Sequence, residues 1–218
     1  MKIFKIITFG LVVVSLFTCT TVNKTELPDV VEIGEQIWTI NNLNESTFRN
    51  GDVIPEARSN EEWIAAGRDR KPVWSYYGND PGNGDRYGKL YNFYAVNDPR
   101  ELAPEGFKIP SEADWRELAS NLGGINSAGI KMKTEQGWVN DVTENKQGIF
   151  NALPSGNRNA DGVFYFQGEY SFWWTSNSVG RTEVQWMARY AGLKYYSDEI
   201  TLANSYQRNG LSVRLLKH

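Results

Sequence analysis

Indole, amide and guanidinium groups cluster in the C-terminal third of this chain, and together they supply the chemistry of ligand recognition. Trp173 and Trp174 are adjacent, Asn177 follows three residues on, and Trp186 and Arg189 stand in the next apolar segment. An exposed indole face offers a flat apolar platform for a sugar ring, while an amide and a guanidinium hydrogen-bond its hydroxyls. Trp174, Asn177, Trp186 and Arg189 are therefore the candidate ligand-binding residues. Adjacent side chains on a strand face opposite ways, so one ring of the tryptophan pair enters the core and the other points to the opposite face. The competing reading is that both rings pack inside.

Other chemistry is harder to assemble. Asp80, Asn83 and Asp85 place three oxygen-bearing side chains in a glycine-rich turn. That suits calcium in ligand type, but it lacks the regular alternation and closing glutamate of an EF-hand loop, and Asx residues are ordinary in turns. No metal and no cofactor is assigned. The single histidine, His218, is the last residue, which leaves a Ser-His-Asp or Cys-His arrangement without a base. Paired carboxylates for glycoside hydrolysis leave no spacing signature, so that chemistry is the minor alternative to a non-catalytic protein.

Short elements must position these residues. Ser59 and Glu62 have capping-box spacing for a helix running through Trp63 to Gly67. Ser111 and Asp114 open a second helix, after Pro110, that carries Trp115, Leu118 and Leu122 and closes at Gly123-Gly124. Residues 32–43 predict one or two short strands around a glycine turn. Residues 87–96 predict a strand entry passing into a short helix. Beyond residue 148 the segments 163–166, 171–176, 184–190 and 211–215 read as strands separated by glycine and asparagine. Helices early and strands late predict an α+β fold with a twisted antiparallel sheet, two main helices and long loops.

Composition narrows the partners. The 218 residues hold 23 basic and 26 acidic side chains, interspersed, so no basic stripe is available for nucleic acid. Eight Trp, 11 Tyr and 10 Phe accompany 20 glycines, which predicts a loop-rich fold pinned by large rings. The only cysteine, Cys19, follows two early lysines and the apolar run from Ile6 to Phe17. This reads as a secretory signal over residues 1–19, too short to span a bilayer, with Leu16-Phe17-Thr18-Cys19 similar to a bacterial lipobox. Cys19 is then the lipidation site, residues 20–30 a flexible tether and residues 31–218 one folded domain. The expected location is outside the inner membrane, anchored by lipid to the outer membrane.

Six blocks in order carry a family resemblance. They are Ile33-Gly34, Gln36, Trp38 and Asn42-Leu43; Tyr87-Gly88 with Leu90-Tyr91-Asn92; Pro104 to Trp115; Phe150 to Arg158; Trp173 to Ser176; and Gly210 to Arg214. The chain resembles the Fibrobacter succinogenes major paralogous domain family over nearly all of residues 31–218. The resemblance implies a secreted or lipid-anchored envelope protein with a C-type-lectin-like domain, and it implies no reaction. Within the blocks, Trp38, Trp115, Trp173, Arg158 and Arg214 are assigned structural roles, the arginines by tying loop carbonyls together. The paired sugar-and-calcium motifs of C-type lectins are absent, and a lone thiol excludes the cysteine pair of formylglycine-generating oxidases. Lectin-like proteins diversified by retroelements carry their variable residues near the C-terminus, and Asn177, Asn204, Tyr206 and Asn209 are the kinds of residue found at such positions. The expected function is recognition of a glycan or surface protein, against the alternative of an adhesive assembly component. The orientations of Trp174, Trp186 and Tyr196 distinguish the two.

Overall fold

A computed structural model describes residues 28–139, 148–182 and 185–218. The signal segment, Cys19, most of the tether and Val184 lie outside the described residues. The chain opens with a hairpin of β1 (Val30–Ile33) and β2 (Gln36–Thr39). Gly34 turns it at φ 64°, where an added Cβ would sit 2.2 Å from the Asn121 side-chain nitrogen, so both the backbone angle and the space require glycine.

Helix α1 (Asn60–Arg68) and strand β3 (Trp74–Ser75) follow, then α2 (Gly84–Tyr87), β4 (Leu90–Asn92), α3 (Phe93–Val96) and β5 (Phe107–Lys108). Helices α4 (Glu112–Asn121) and α5 (Ala128–Met132) complete the helical part. The strands β6 (Ser155–Arg158), β7 (Phe164–Gln167), β8 (Tyr170–Arg181), β9 (Trp186–Lys194), β10 (Ser197–Tyr206), β11 (Gly210–Leu211) and β12 (Leu216–Lys217) make up the rest. The fold is α+β, mostly sheet with few and short helices. Among the described residues, no helix is long and apolar enough to cross a membrane.

Both predicted capping boxes form. Ser59 accepts from the Glu62 N–H and Ser111 from the Asp114 N–H, with each acidic side chain reaching back to the cap. Helix α1 does not stop at Gly67. It ends at Arg68, because Gly67 is needed inside the helix where the Arg208 stem packs on it.

One sheet joins β1-β2-β12-β5, so the two ends of the domain are paired, with Leu216 opposite Trp38. The larger sheet runs β10-β9-β8-β6-β11-β4-β3, with β7 beside β6. It is mixed where an antiparallel sheet was predicted: β6 and β8 are parallel at Gly156 and Ser171, while β6 pairs antiparallel with both β7 and β11.

The β8–β9–β10 sheet has a core on each face. Against one face pack Trp38, Trp115, Leu118, Phe150 and Trp173. Against the other pack Phe93, Tyr91, Leu211, Val213 and Trp174. Period-two alternation sends Trp173 and Trp174 into different cores, and both are fully buried.

Candidate functional site

The four residues chosen for ligand binding do not come together. Trp174 is a correction: its ring lies edge-on to Phe93, with centroids 5.3 Å apart, and its Nε1 donates to the Tyr91 carbonyl at 2.8 Å. Phe93 of α3 and Tyr91 of β4 pack over the face on which it was expected to be free, so no sugar can stack on it. Asn177 and Arg189 serve helix α4 instead. Asn177 Oδ1 accepts from the Glu112 N–H at 2.7 Å, filling one of the donors a helix N-terminus leaves open. Arg189 donates to Glu112 through Nε and to Asn204 Oδ1 through a terminal nitrogen at 3.0 Å. Of the four, Trp186 alone lines an open concavity.

The residues given structural roles are all buried. Trp115 stacks on Trp173 at 5.5 Å, and Trp38 sits 4.9 Å from Trp115. Arg214 donates to the carbonyls of Thr39, Ile40, Phe150 and Asn151 and to Asn42 Oδ1, with its guanidinium 4.4 Å from the Phe150 ring centroid. Arg158 ties Ala57, Ser59 and Gly162 in the same way, between the rings of Trp63 and Phe164. Burial lowers the pKa of both guanidinium groups, opposed at Arg158 by the charge of Glu62.

In the Asp80 turn, Asp80 Oδ1 accepts from the Gly82 N–H and Asn83 donates to the Tyr77 carbonyl. Among the described residues, no group of three or more His, Cys, Asp or Glu is placed to hold a metal ion.

A cleft of about 650 Å³ lies between the loops around residues 39–51 and 102–107, with Pro28 in its lining. Its polar side chains are largely committed to the fold. Asn42 Oδ1 receives bonds from Trp173 and Arg214, Asn44 receives Lys89, and Arg49 pairs with Glu101 and reaches three loop carbonyls.

Two surfaces, of which sequence reasoning singled out only Trp186, Tyr196 and the strand of Tyr190, lie towards opposite ends of the Trp174 face. At one end, seven rings form a continuous strip. Phe166 stacks on Tyr170 with centroids 4.7 Å apart, Tyr170 reaches Phe172 and Tyr196, and Tyr165, Tyr190 and Tyr195 extend the chain of contacts. Tyr196, Phe166 and Tyr165 are 62, 40 and 38 % exposed. Gly192 stands opposite Phe172, and a Cβ there would press within 3.3 Å of the Phe172 and Tyr190 rings. Phe166 holds φ at 66°, a left-handed backbone that a bulky L-residue occupies only under strain. The available signal was the period-two spacing of Tyr170 and Phe172, together with the aromatic density at 164–166 and 195–196.

At the other end, Trp186 and Tyr94 wall a concavity of about 200 Å³ whose remaining lining is dominated by Arg68, Arg70, Arg181 and Arg208. The Arg70 guanidinium lies 4.9 Å from the Trp186 ring centroid. Trp186 Nε1 is shielded from solvent and has no hydrogen-bond partner among the described residues. Burial raises the Tyr94 phenol, and the positive charges of Arg70 and Arg208 oppose the rise.

A mostly β, mixed α+β domain with a layer on each sheet face is the class that this geometry defines. The Fibrobacter succinogenes major domain model matches residues 31–217, and the chain belongs to that family. No curated protein and no solved structure matches the chain.

Proposed function

We propose that this is a non-catalytic recognition domain of the bacterial cell envelope, tethered through a lipid on Cys19, that binds a glycan across the aromatic strip of β7, β8 and the β9–β10 turn. The lectin-like reading of its fold rests on the family resemblance, and the paired chain ends and the two longer helices, α1 and α4, are consistent with it. The observation that carries the function is Phe166. A large apolar ring is held at the surface on a strained backbone and stacked on Tyr170, although glycine would relieve the strain. Strain of this kind is retained where the side chain has work to do. The exposed rings of Tyr165, Phe166 and Tyr196 offer apolar surface to sugar units, whose C–H faces are apolar and whose edges carry hydroxyls.

The test is a glycan array probed with the purified protein and with Phe166→Gly and Tyr196→Ala. Binding by the wild type that both variants lose supports the reading. If the folded wild type binds no glycan but self-associates, and Phe166→Gly makes it monomeric, the strip is an assembly surface. Release of reducing sugar during the assay would bring back the hydrolase alternative, with Glu45 and Glu105 of the large cleft as the carboxylates to replace.

A further inference from the structure

The arginine concavity is a second site built by separate means. Helix α1 closes with the Lys71 N–H donating to the Ala66 carbonyl at 2.9 Å and the Arg70 N–H to the Gly67 carbonyl at 3.4 Å. This is a Schellman closure, and its left-handed position is normally glycine. Here that position is Arg70, at φ 53°. The two glycine requirements are thus displaced: glycine stands at 67, where the Arg208 stem needs the room, and arginine stands at 70, where the backbone would prefer glycine.

The result gathers guanidinium groups from three separate segments around Trp186. Arg68 and Arg70 come from the end of α1, Arg181 from the end of β8, and Arg208 from the β10–β11 turn. Arg68 pairs with Asp69. Among the described residues, Arg70, Arg181 and Arg208 form no ion pair, and Arg208 instead donates to Gln185 Oε1. The helix C-terminus favours cations locally, but it does not explain Arg181 and Arg208, which arrive from the sheet.

We propose that this concavity is an anion-binding site that takes the carboxylate or sulfate of one acidic sugar-sized group. Forked guanidinium donors match the planar oxygens of a carboxylate and equally meet a sulfate. The indole of Trp186, already oriented under Arg70, supplies an apolar wall, and about 200 Å³ admits a group no larger than about one sugar ring. The site needs nothing from the aromatic strip and stands or falls separately from it.

Calorimetric titration of the full protein with a galacturonate oligosaccharide, a sulfated dextran oligosaccharide and neutral dextran tests the assignment. The two anionic probes distinguish a carboxylate ligand from a sulfate ligand. At least one should bind, weaken as salt is raised, and lose tenfold or more in affinity in Arg70→Gly and in Arg181→Ala. Neither variant removes a core contact, and Arg70→Gly relaxes the backbone, so both should remain folded by circular dichroism. Phe166→Gly should leave anion binding unchanged, which separates failure of the strip from failure of this site. Absence of binding by either anion to the folded wild type, or equal affinity in both arginine variants, overturns the proposal.

Discussion

Trp174 and Trp186 stand on adjacent strands of one sheet, in which Trp173 is registered with Ala191 and Trp174 with Tyr190. In the middle of that sheet Trp173, Trp174 and Arg214 each have hydrogen-bond partners. Trp174 donates to Tyr91, Trp173 donates to Asn42, and Arg214 reaches four carbonyls. Towards the ends the pattern reverses: Phe166 and Arg70 hold left-handed backbones, rings lie open, and among the described residues three guanidinium groups lack a carboxylate. Tyr190 and Trp186 share a face of β9 only about 13 Å apart, at ~3.3 Å per residue, yet one joins the aromatic strip and the other the arginine concavity. Middle and ends differ: in the middle the buried indoles and guanidinium are tied to fixed carbonyls and amides, whereas at the ends rings and guanidinium groups stay open.

The sharpest way to break this contrast is at Arg214. Replacing it with Met fills much of the space but leaves the Thr39, Phe150 and Asn151 carbonyls without their donor. Removal of one side of a buried, charged hydrogen-bond network costs ~3–5 kcal/mol. Urea unfolding should show that loss, and Arg214→Lys should recover little of it, because one ammonium cannot span the same carbonyls. A cost below ~1 kcal/mol would mean that the middle of the sheet is not the stability centre.

At the two ends the sign should change. At a left-handed position glycine avoids a Cβ penalty of ~1–2 kcal/mol. Phe166→Gly should therefore be more stable than Phe166→Ala by ~1 kcal/mol, although both lose the same stacking on Tyr170. Arg70→Gly should likewise unfold at a temperature no lower than the wild type, since the relieved strain offsets a cation–π contact of ~0.5–1 kcal/mol. Destabilisation of 2 kcal/mol or more in either glycine variant would place Phe166 or Arg70 among the structural residues and remove the argument for function there.

This contrast also marks what sequence could reveal. Capping boxes at Ser59 and Ser111 are local signals, and the helices start where those residues place them. The strand at 171–176 was legible from alternation, as was the divergence of Trp173 from Trp174. What alternation cannot show is a second layer, so the covering of Trp174 by Phe93 and Tyr91 was invisible. The strip was hidden for a related reason: its rings come from β7, β8, β9 and the β9–β10 turn, and only the fold makes them neighbours. For Arg70, nothing in Gly67-Arg68-Asp69-Arg70 reveals that the glycine is consumed by packing on Arg208 and that the turn falls to the arginine.

Glu112 gives the smallest effect and tests which side of the contrast Arg189 belongs to. Its carboxyl is held down to a pKa of about 2, chiefly by the hydrogen bond from Arg189, against the desolvation of partial burial and with help from Arg116. The ordinary value is 4.5, so the folded state binds this proton more weakly than the unfolded chain. The stabilisation is complete above pH 4.5 and is lost as pH falls through about 2. The side chain is 22 % exposed, and solvent screening limits the effect to ~1 kcal/mol. Several other carboxylates shift in the same direction, among them Asp52, Asp69 and Asp98, so the wild-type acid profile alone does not isolate Glu112. The difference between wild type and Glu112→Gln does: it should be about 1 kcal/mol at pH 6 and shrink towards zero near pH 2. The same substitution releases Arg189 from its carboxylate while leaving the backbone of α4 in place. If Arg189 only stitches β9 to α4, glycan and anion affinities stay unchanged in Glu112→Gln. A gain in anion affinity would instead show that Arg189 is a ligand-binding residue held in reserve by its ion pair.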